Sequence, residues 1–186
     1  MTPGFTCTEG PLTFSSFSYA GSGTNAASVS ATQITVTPSG ESLLLEGPWN
    51  AGVGQSQSSV ITYTVSGSGV VISGVNVSML GFNAMEGGQI SVTASALGNG
   101  TLLALLNYAQ SAGLSISSTA GFDPVTGAQI STTISVTGNN GQADLSYVEN
   151  QWIPTSATPE AASALLFGLG LAGLALLWRR AGTRHV

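Results

Sequence analysis

Residues 129–148 read QISTTISVTGNNGQADLSYV, and this stretch decides the fold class. Apolar and small polar residues alternate in both of its halves. A period of two is typical of a β-strand that places one face on a core and the other in solvent. Asn140 and Gly141 between the halves favour a type I′ turn, which needs positive φ at both central positions. The stretch therefore predicts a hairpin that pairs residues 129–137 with residues 143–148.

The same alternation recurs in the chain ahead of this stretch. Turn-forming residues separate the alternating runs at 67–69 (GSG), 87–88 (GG) and 98–100 (GNG). About nine or ten short strands spaced in this way predict an all-β fold, an antiparallel β-sandwich of jelly-roll-like type, over residues 1–152. The predicted inward faces are Ile34 and Val36; Ile61, Tyr63 and Val65; Val75, Val77 and Met79; Ile90, Val92 and Ala94; and Ile130, Ile134 and Val136.

Two apolar stretches need a separate interpretation. Residues 101–109 (TLLALLNYA) suit a short amphipathic helix as well as a strand, and we expect their leucines to fill the core. Phe14, Phe17 and Tyr19 are expected to anchor a first strand by packing, not to form a platform for carbohydrate.

The charges are few and unevenly placed. Charged residues make up 6% of this 186-residue chain, against roughly 25% in an ordinary soluble domain. All 8 acidic residues precede residue 161, whereas Arg179, Arg180 and Arg184 are the only basic residues other than one histidine. The body therefore carries no cation that could neutralise phosphates, and this excludes nucleic-acid binding by it.

Residues 161–178 form an apolar run without charge, in which Ser163 is the only polar side chain. As a helix the run would be about 27 Å long, close to the roughly 30 Å of a bilayer's hydrocarbon core. Arg179 and Arg180 directly behind it act as a membrane stop on the cytoplasmic side. The sequence thus predicts a single C-terminal transmembrane α-helix at 161–178, a basic cytoplasmic tail at 179–186 and an exported body.

The order of features in the tail resembles the PEP-CTERM sorting signal. Pro159 and Glu160 are followed by an alanine-rich step, a glycine-containing apolar helix and an arginine cluster. In that bacterial family the signal holds an exported protein in the inner membrane until an exosortase, a membrane-embedded transpeptidase-like enzyme, processes it. The resemblance implies that Pro159 and Glu160 are the sorting motif, although Ala161 stands where the family has a second proline. The implied partners are an exosortase-type enzyme and the membrane.

Residues 153–160 (IPTSATPE) are interpreted as a flexible linker that presents this motif to the enzyme. The resemblance implies an inner-membrane protein with an exported body, which reaches the cell surface or the medium after processing.

The first ten residues, MTPGFTCTEG, lack the basic start and apolar segment of a signal peptide. The PEP-CTERM family normally carries a cleaved N-terminal signal, so we expect a start that lies further upstream; export through the C-terminal helix alone is the alternative. Cys7 has two interpretations. A lone cysteine in an exported domain either pairs with a cysteine upstream or is a free thiol.

No catalytic set is predicted in the body. The single histidine, His185, follows the apolar run and cannot join a serine or cysteine of the body in a dyad. Glycoside hydrolysis would need two converging carboxylates. The candidate pairs, Glu41 with Glu46 and Asp144 with Glu149, are five residues apart, which places their members on opposite faces of a regular strand.

No metal or cofactor is predicted either. Asn139, Asn140 and Asp144 offer three oxygens to calcium, but a plain hairpin explains them and no EF-hand loop is present. The chain has no ligand set for zinc.

These observations favour a non-catalytic exported cell-surface or extracellular-matrix protein, sorted through its tail and associated with exopolysaccharide. The alternative is a carbohydrate- or protein-binding adhesion module anchored in the membrane. Exposed aromatic side chains in a cleft, such as Trp49 or Tyr63, would favour this alternative.

Overall fold

Alternation of apolar and polar residues is realised in eleven strands of the computed structural model, which describes residues 4–98, 100–110 and 116–157. The strands are β1 (Cys7–Glu9), β2 (Leu12–Thr24), β3 (Thr35–Ser39), β4 (Ser42–Ala51), β5 (Ser56–Gly67), β6 (Val70–Met85), β7 (Gln89–Gly98), β8 (Thr101–Gln110), β9 (Ile116–Val125), β10 (Gly127–Thr137) and β11 (Gln142–Ser156). A 3-10 turn at Ala31–Gln33 precedes β3.

The strands form two antiparallel sheets. The six-stranded sheet has the order β1-β2-β5-β10-β7-β8, and the five-stranded sheet has the order β3-β4-β11-β6-β9. From β4 onward, successive strands alternate between the two sheets, except that β7 and β8 are neighbours in the six-stranded sheet; this is the order of a jelly roll. The predicted all-β, antiparallel, sandwich-like body is confirmed.

Buried residues recur at every second position on the facing sides of the two sheets. All of the predicted inward residues on β5, β6, β7 and β10 are buried. Ile34 is buried just before β3, whereas Val36 on β3 is only partly buried. Trp49 on β4 and Trp152 on β11 are the largest buried side chains, with 1% and 0% exposure. Phe14 and Phe17 are also buried, which confirms them as packing anchors of β2.

The loop at residues 138–141 joins the two sheets instead of closing the predicted hairpin. β10 pairs with β5 and β7, whereas β11 pairs with β4 and β6. Neither Asn140 nor Gly141 has a positive φ, so these two residues do not form the predicted type I′ turn. The predicted pairing is wrong because period-two alternation is the same for two strands paired in one sheet and for two strands that face each other across a core.

Close backbone packing explains the glycines of this loop. A Cβ on Gly138 would lie 1.9 Å from the carbonyl oxygen of Gly52, and a Cβ on Gly141 would lie 1.9 Å from that of Met85. The N–H of Gly141 donates to the Gly138 carbonyl at 2.7 Å. The loop therefore crosses directly over the β4–β5 and β6–β7 connections.

Tight hairpins occur instead at β1–β2, β3–β4 and β7–β8. Gly10, Gly40 and Gly100 supply positive φ at these turns, which glycine adopts without steric cost. The predicted turn after Gly98 is thus a hairpin, whereas the turns at 67–69 and 87–88 connect the two sheets.

The leucine-rich stretch 101–109 lies in β8, an edge strand that pairs only with β7 among the described strands. Leu102 and Leu105 are each 54% exposed, while Ala104 between them is buried. The expectation that these leucines fill the core is therefore wrong for Leu102 and Leu105. Nothing in the described part of the sandwich covers the outer face of β8 at these positions.

The body extends further along the chain than predicted. β11 continues to Ser156, which pairs with Val70 on β6. Pro154 is accommodated where the register of β11 shifts after Trp152, since proline has no N–H for a regular ladder. Residues 153–156, assigned above to the linker, belong to the sandwich.

No helix within residues 4–98, 100–110 and 116–157 is long and apolar enough to cross a membrane. The predicted transmembrane helix at 161–178 and the basic tail at 179–186 lie outside the described residues.

The buried polar side chain of Asn150 connects the two sheets through the core. Asn150 on β11 donates from Nδ2 to the hydroxyl of Tyr63 on β5 at 3.0 Å and to that of Thr132 on β10 at 3.1 Å. All three residues are fully buried. Burial raises the pKa of the Tyr63 hydroxyl, which outweighs the opposite effect of the hydrogen bond from Asn150. The phenol is therefore neutral at any physiological pH.

We expect Asn150→Ala to lower the free energy of unfolding by about 2 kcal/mol, because it removes both hydrogen bonds and leaves a small cavity. Urea unfolding of the full chain, followed by fluorescence of the buried tryptophans, measures this. Asn83→Ala, at an exposed position on β6, is the matched control, with an expected change within about 0.5 kcal/mol. Equal stability of the two variants would contradict a role for Asn150 in joining the sheets.

We further expect Gly138→Ala to destabilise the fold by roughly 2–3 kcal/mol, because the new methyl group cannot be placed beside the Gly52 carbonyl without moving backbone. Gly121→Ala on β9 is the control, since a Cβ there meets its nearest atom at 3.7 Å. Similar urea midpoints for the two variants would show that the loop does not pack as described.

Candidate functional site

A cleft of about 310 Å³ lies on the outer face of the five-stranded sheet, where β3, β4 and β11 run side by side. It is open to solvent at the sheet surface. Its lining consists of one aromatic ring, one carboxylate, small polar groups and a proline. These residues are Gln33, Thr35, Glu46, Gly47, Pro48, Ser146 and Tyr147.

An irregularity shared by β4 and β11 creates this cleft. Leu145 pairs with Trp49, but the next pair along the strands is Tyr147 with Glu46, so the register shifts between them. Pro48, which lies inside the shift, has no N–H to offer to the ladder. Leu145 and Val148 are both buried, and Ser146 and Tyr147 between them both lie on the outer side.

Gly81 on β6 lies beneath the aromatic ring of the cleft. Its φ is +61°, and a Cβ there would lie 3.2 Å from Cδ2 of Tyr147 and 3.2 Å from Cβ of Ser146. Because glycine leaves this space open, the Tyr147 ring rests close to the sheet, partly buried, with the remainder of its surface in the cleft.

A row of outward side chains crosses the sheet through the cleft. Thr35 on β3 pairs with Glu46 on β4, Glu46 pairs with Tyr147 on β11, and Tyr147 pairs with Leu80 on β6. Neighbouring strands are about 4.8 Å apart, so the row is roughly 14 Å long. Thr35 and Glu46 are exposed, and Leu80 is 36% exposed.

Gln33 at one end of the cleft is held by the turn before β3. Its Oε1 accepts hydrogen bonds from the backbone N–H of Ser30 at 2.9 Å and from the Ser30 hydroxyl at 3.1 Å, in a capping box. These two hydrogen bonds orient the side-chain amide of Gln33 and leave its two N–H hydrogens available as donors. Gln33 therefore offers donors, while Glu46 offers acceptors.

Trp49 and Tyr63 do not lie in a cleft, and their proposed exposure is wrong. Both occupy inward positions of their strands and are buried. The indole N–H of Trp49 donates to Ser59 Oγ at 2.9 Å. The alternation already placed Tyr63 on an inward face. Its position in the strand, and not its aromatic residue type, decides that it is buried. The aromatic residue that the cleft does contain is Tyr147, which the sequence analysis missed.

The candidate carboxylate pairs do not converge. Glu41 lies in the β3–β4 turn and Glu46 on the outer face of β4. Asp144 and Glu149 were expected on opposite faces, but both lie outward because the alternation of β11 is interrupted at Ser146 and Tyr147, beside the register shift against β4. Five residues of strand span roughly 16 Å, more than the roughly 5–9.5 Å that glycosidases need.

A different pair of carboxylates lies closer together. Tyr147 is opposite Glu46, so Glu149 is diagonal to Glu46 on the neighbouring strand, at a Cβ separation of roughly 7–8 Å. Only Glu46 lines the cleft. The register between β4 and β11 brings Glu46 and Glu149 close together. Residue spacing along one strand does not reveal this register.

Two of the three residues suggested for calcium, Asn139 and Asp144, make hydrogen bonds within the fold. The carbonyl of Asn139 accepts from the N–H of Gly54 at 2.8 Å, and its Nδ2 donates to the Gly87 carbonyl at 3.1 Å. Asp144 accepts from Gln142 Nε2 at 3.0 Å. Within the described ranges, no group of three or more His, Cys, Asp or Glu side chains is placed to hold a metal ion.

The predicted sorting residues follow the last strand directly. Pro159, Glu160, Arg179 and Arg180 lie outside the described residues, which end one position after β11 at Ala157. Residues 157–181 match the family description "PEP-CTERM protein-sorting motif". The chain carries a PEP-CTERM sorting motif. The motif indicates an exported protein and includes all four residues named above.

No curated protein matches this chain. Among solved structures, TmCBM61 in complex with β-1,4-galactotriose is similar at 15% identity and a TM-score of 0.37, over 75% of this chain and 88% of that chain. The family 11 carbohydrate-binding module from Clostridium thermocellum, in complex with a β-1,3-1,4-mixed-linked tetrasaccharide, is 7% identical with a TM-score of 0.31, over 72% and 88% of the chains. A bacteriophage CBA120 tailspike domain is 14% identical with a TM-score of 0.37, over 74% of this chain and 19% of that chain.

Cys7 lies partly buried on β1, where it pairs with Phe14 of β2. Burial raises the pKa of its thiol, and the nearby carboxylate of Glu9 raises it further. A raised thiol pKa lowers the fraction of thiolate at neutral pH, which makes the residue a poor nucleophile.

We expect iodoacetamide to alkylate Cys7 at pH 8 more slowly in the native chain than in urea, since the folded environment disfavours the thiolate. Glu9→Gln removes the negative charge and is expected to move the midpoint of the pH–rate profile to lower pH. Glu41→Gln, which leaves Glu9 in place, is the control. A native midpoint at or below that of the unfolded chain would contradict the described environment.

Proposed function

We propose that this protein is a non-catalytic cell-surface or extracellular-matrix protein, exported and held in the inner membrane until an exosortase-type enzyme processes it. The PEP-CTERM motif at residues 157–181 carries this proposal. It begins where the sandwich ends at Ser156, so the folded body and the sorting signal are contiguous. After processing, the body associates with exopolysaccharide at the cell surface or in the surrounding matrix.

The charges at the two ends of the apolar run support an orientation with the body outside and the arginines on the cytoplasmic side. Glu160 would lie near the positive end of the dipole of the helix predicted at 161–178, a position worth about 0.3–1 kcal/mol to a carboxylate. Arg179 and Arg180 follow at the negative end and favour the cytoplasmic side. Pro159 and Glu160 are then presented outside, where the enzyme recognises them.

The second candidate function is a carbohydrate-binding adhesion module. The Tyr147 cleft favours it, since it combines a partly exposed aromatic ring with donors and acceptors on a rigid sheet. Both candidates share the exported body and the sorting tail. They differ in whether the sandwich itself recognises a ligand.

Absence of catalysis remains part of this proposal. We expect the full chain to release no reducing sugar from soluble glycans. Glu46 and Glu149 are the pair to test, because they occupy diagonal positions on β4 and β11. Sustained turnover that is abolished by Glu46→Gln or by Glu149→Gln would show a glycosidase instead.

We expect Glu160→Ala to block processing without preventing membrane insertion, because it alters the motif and leaves the apolar run intact. Mass spectrometry of the C-terminus in exosortase-containing cells measures processing. Glu149→Ala, which removes a carboxylate from the body, is the matched control and should be processed normally. A mature protein that still carries Arg179 and Arg180 would make the segment a permanent anchor and overturn the sorting role.

A further inference from the structure

We infer that the Tyr147 cleft binds a neutral polysaccharide through an internal stretch of its chain. This inference rests on the proposed function, since it names the recognition site and the class of ligand for the exported body. It is carried by three observations: the placement of the ring, the hydrogen-bonding groups beside it and the sign of the surrounding charge.

The ring of Tyr147 provides an apolar platform on the sheet surface. Gly81, which has no side chain, leaves room for the ring to lie close to the sheet. Pro48 lines the same cleft, and Leu80 continues the apolar surface on the next strand. A pyranose ring has an apolar C–H face of similar size, and stacking this face on an aromatic ring removes both surfaces from water. Tyrosine also loses little conformational entropy on binding.

Polar groups lie next to this platform. Glu46 is the in-register neighbour of Tyr147, and Thr35 is the in-register neighbour of Glu46. The Glu46 carboxylate accepts hydrogen bonds, the amide hydrogens of Gln33 donate them, and the Thr35 hydroxyl does both. Sugar hydroxyls also both donate and accept, so they complement this mixed set.

The charge of the body selects among polysaccharides. Residues 1–178 contain no Lys, Arg or His, and Glu46 lies in the cleft itself. A uronate or sulfate group bound there would face a carboxylate with no cation to neutralise it. The structure therefore favours a neutral glycan over an anionic one.

The shape of the site indicates a polymer. The row from Thr35 to Leu80 runs across four strands, about 14 Å on the sheet face, and no wall of the described body closes either end. A glycan that lies along the row contacts Glu46 and Thr35 on one side of Tyr147 and Leu80 on the other.

Affinity electrophoresis of the full chain tests the inference, in a detergent without a sugar headgroup and with EDTA present. The neutral probes are a β-glucan, an α-glucan and a galactomannan; the anionic probes are polygalacturonate and alginate. We expect retardation by at least one neutral probe and by neither anionic probe. Tyr147→Ala should weaken binding about tenfold or more, and Tyr147→Phe should retain it within about twofold.

Two further variants keep the result interpretable if Tyr147→Ala fails to fold. Thr35→Val and Glu46→Gln preserve side-chain shape at exposed positions, and each should weaken binding severalfold. Asn83→Ala, outward on the same sheet but outside the cleft lining, should bind like the parent chain. Binding that none of the cleft variants weakens would place the ligand elsewhere and overturn the assignment.

Failure of this inference is distinguishable from failure of the sorting proposal. A folded chain that no neutral probe retards, or that prefers the anionic probes, overturns neutral-glycan binding even when its tail is processed normally. A chain that binds a neutral glycan through Tyr147 but keeps its tail supports the binding site and contradicts sorting.

Discussion

The fold depends on one requirement: two sheets with apolar inner faces must meet across a single core in a fixed register. Most of that contact is non-directional burial, which tolerates sliding of one sheet over the other. Asn150 adds a directional interaction between the sheets, because its side-chain amide donates hydrogen bonds to Tyr63 and Thr132 on the opposite sheet. Surrounded by buried aromatic and aliphatic side chains, these bonds are costly to leave unmade. They favour one alignment of the sheets over its neighbours.

That alignment also determines what the outer surface presents. β11 lies in the middle of the five-stranded sheet and contributes Asn150 and Trp152 to the core. The same strand shifts its register against β4 at Ser146 and Tyr147, which both face outward. Since the inner positions are fixed on both sides of the shift, the outer residues cannot change places with them. The cleft is thus a consequence of how β11 is held in the core.

Much of the body was predictable because alternation reports burial directly. It identified the inner faces of β5, β6, β7 and β10 and the all-β class. The partners of each strand were not predictable, since Asn140 and Gly141 suit a hairpin in isolation, whereas the actual loop is shaped by Gly52 and Met85 from distant parts of the chain. The cleft was missed for a related reason.

A register shift changes which residues of a strand face outward, and it depends on the neighbouring strand. Asp144 and Glu149 share a face only because the alternation of β11 is interrupted between them, at Ser146 and Tyr147. Tyr147 reaches the cleft in the same way. The sorting motif, by contrast, is read from the order of residue types in a short contiguous segment, so no tertiary contact is needed to recognise it.

The position of the tail has a mechanical consequence. The sorting segment continues from Ser156, the end of a strand that pairs with β4 on one side and with β6 on the other. Ladder hydrogen bonds of antiparallel strands are perpendicular to the strand axis. A pull along β11 from the tail therefore loads many of these bonds at once in shear, whereas a pull across the strands would open them one by one. Tension applied through the tail would enter a strand that is held by a hydrogen-bonded neighbour on each side.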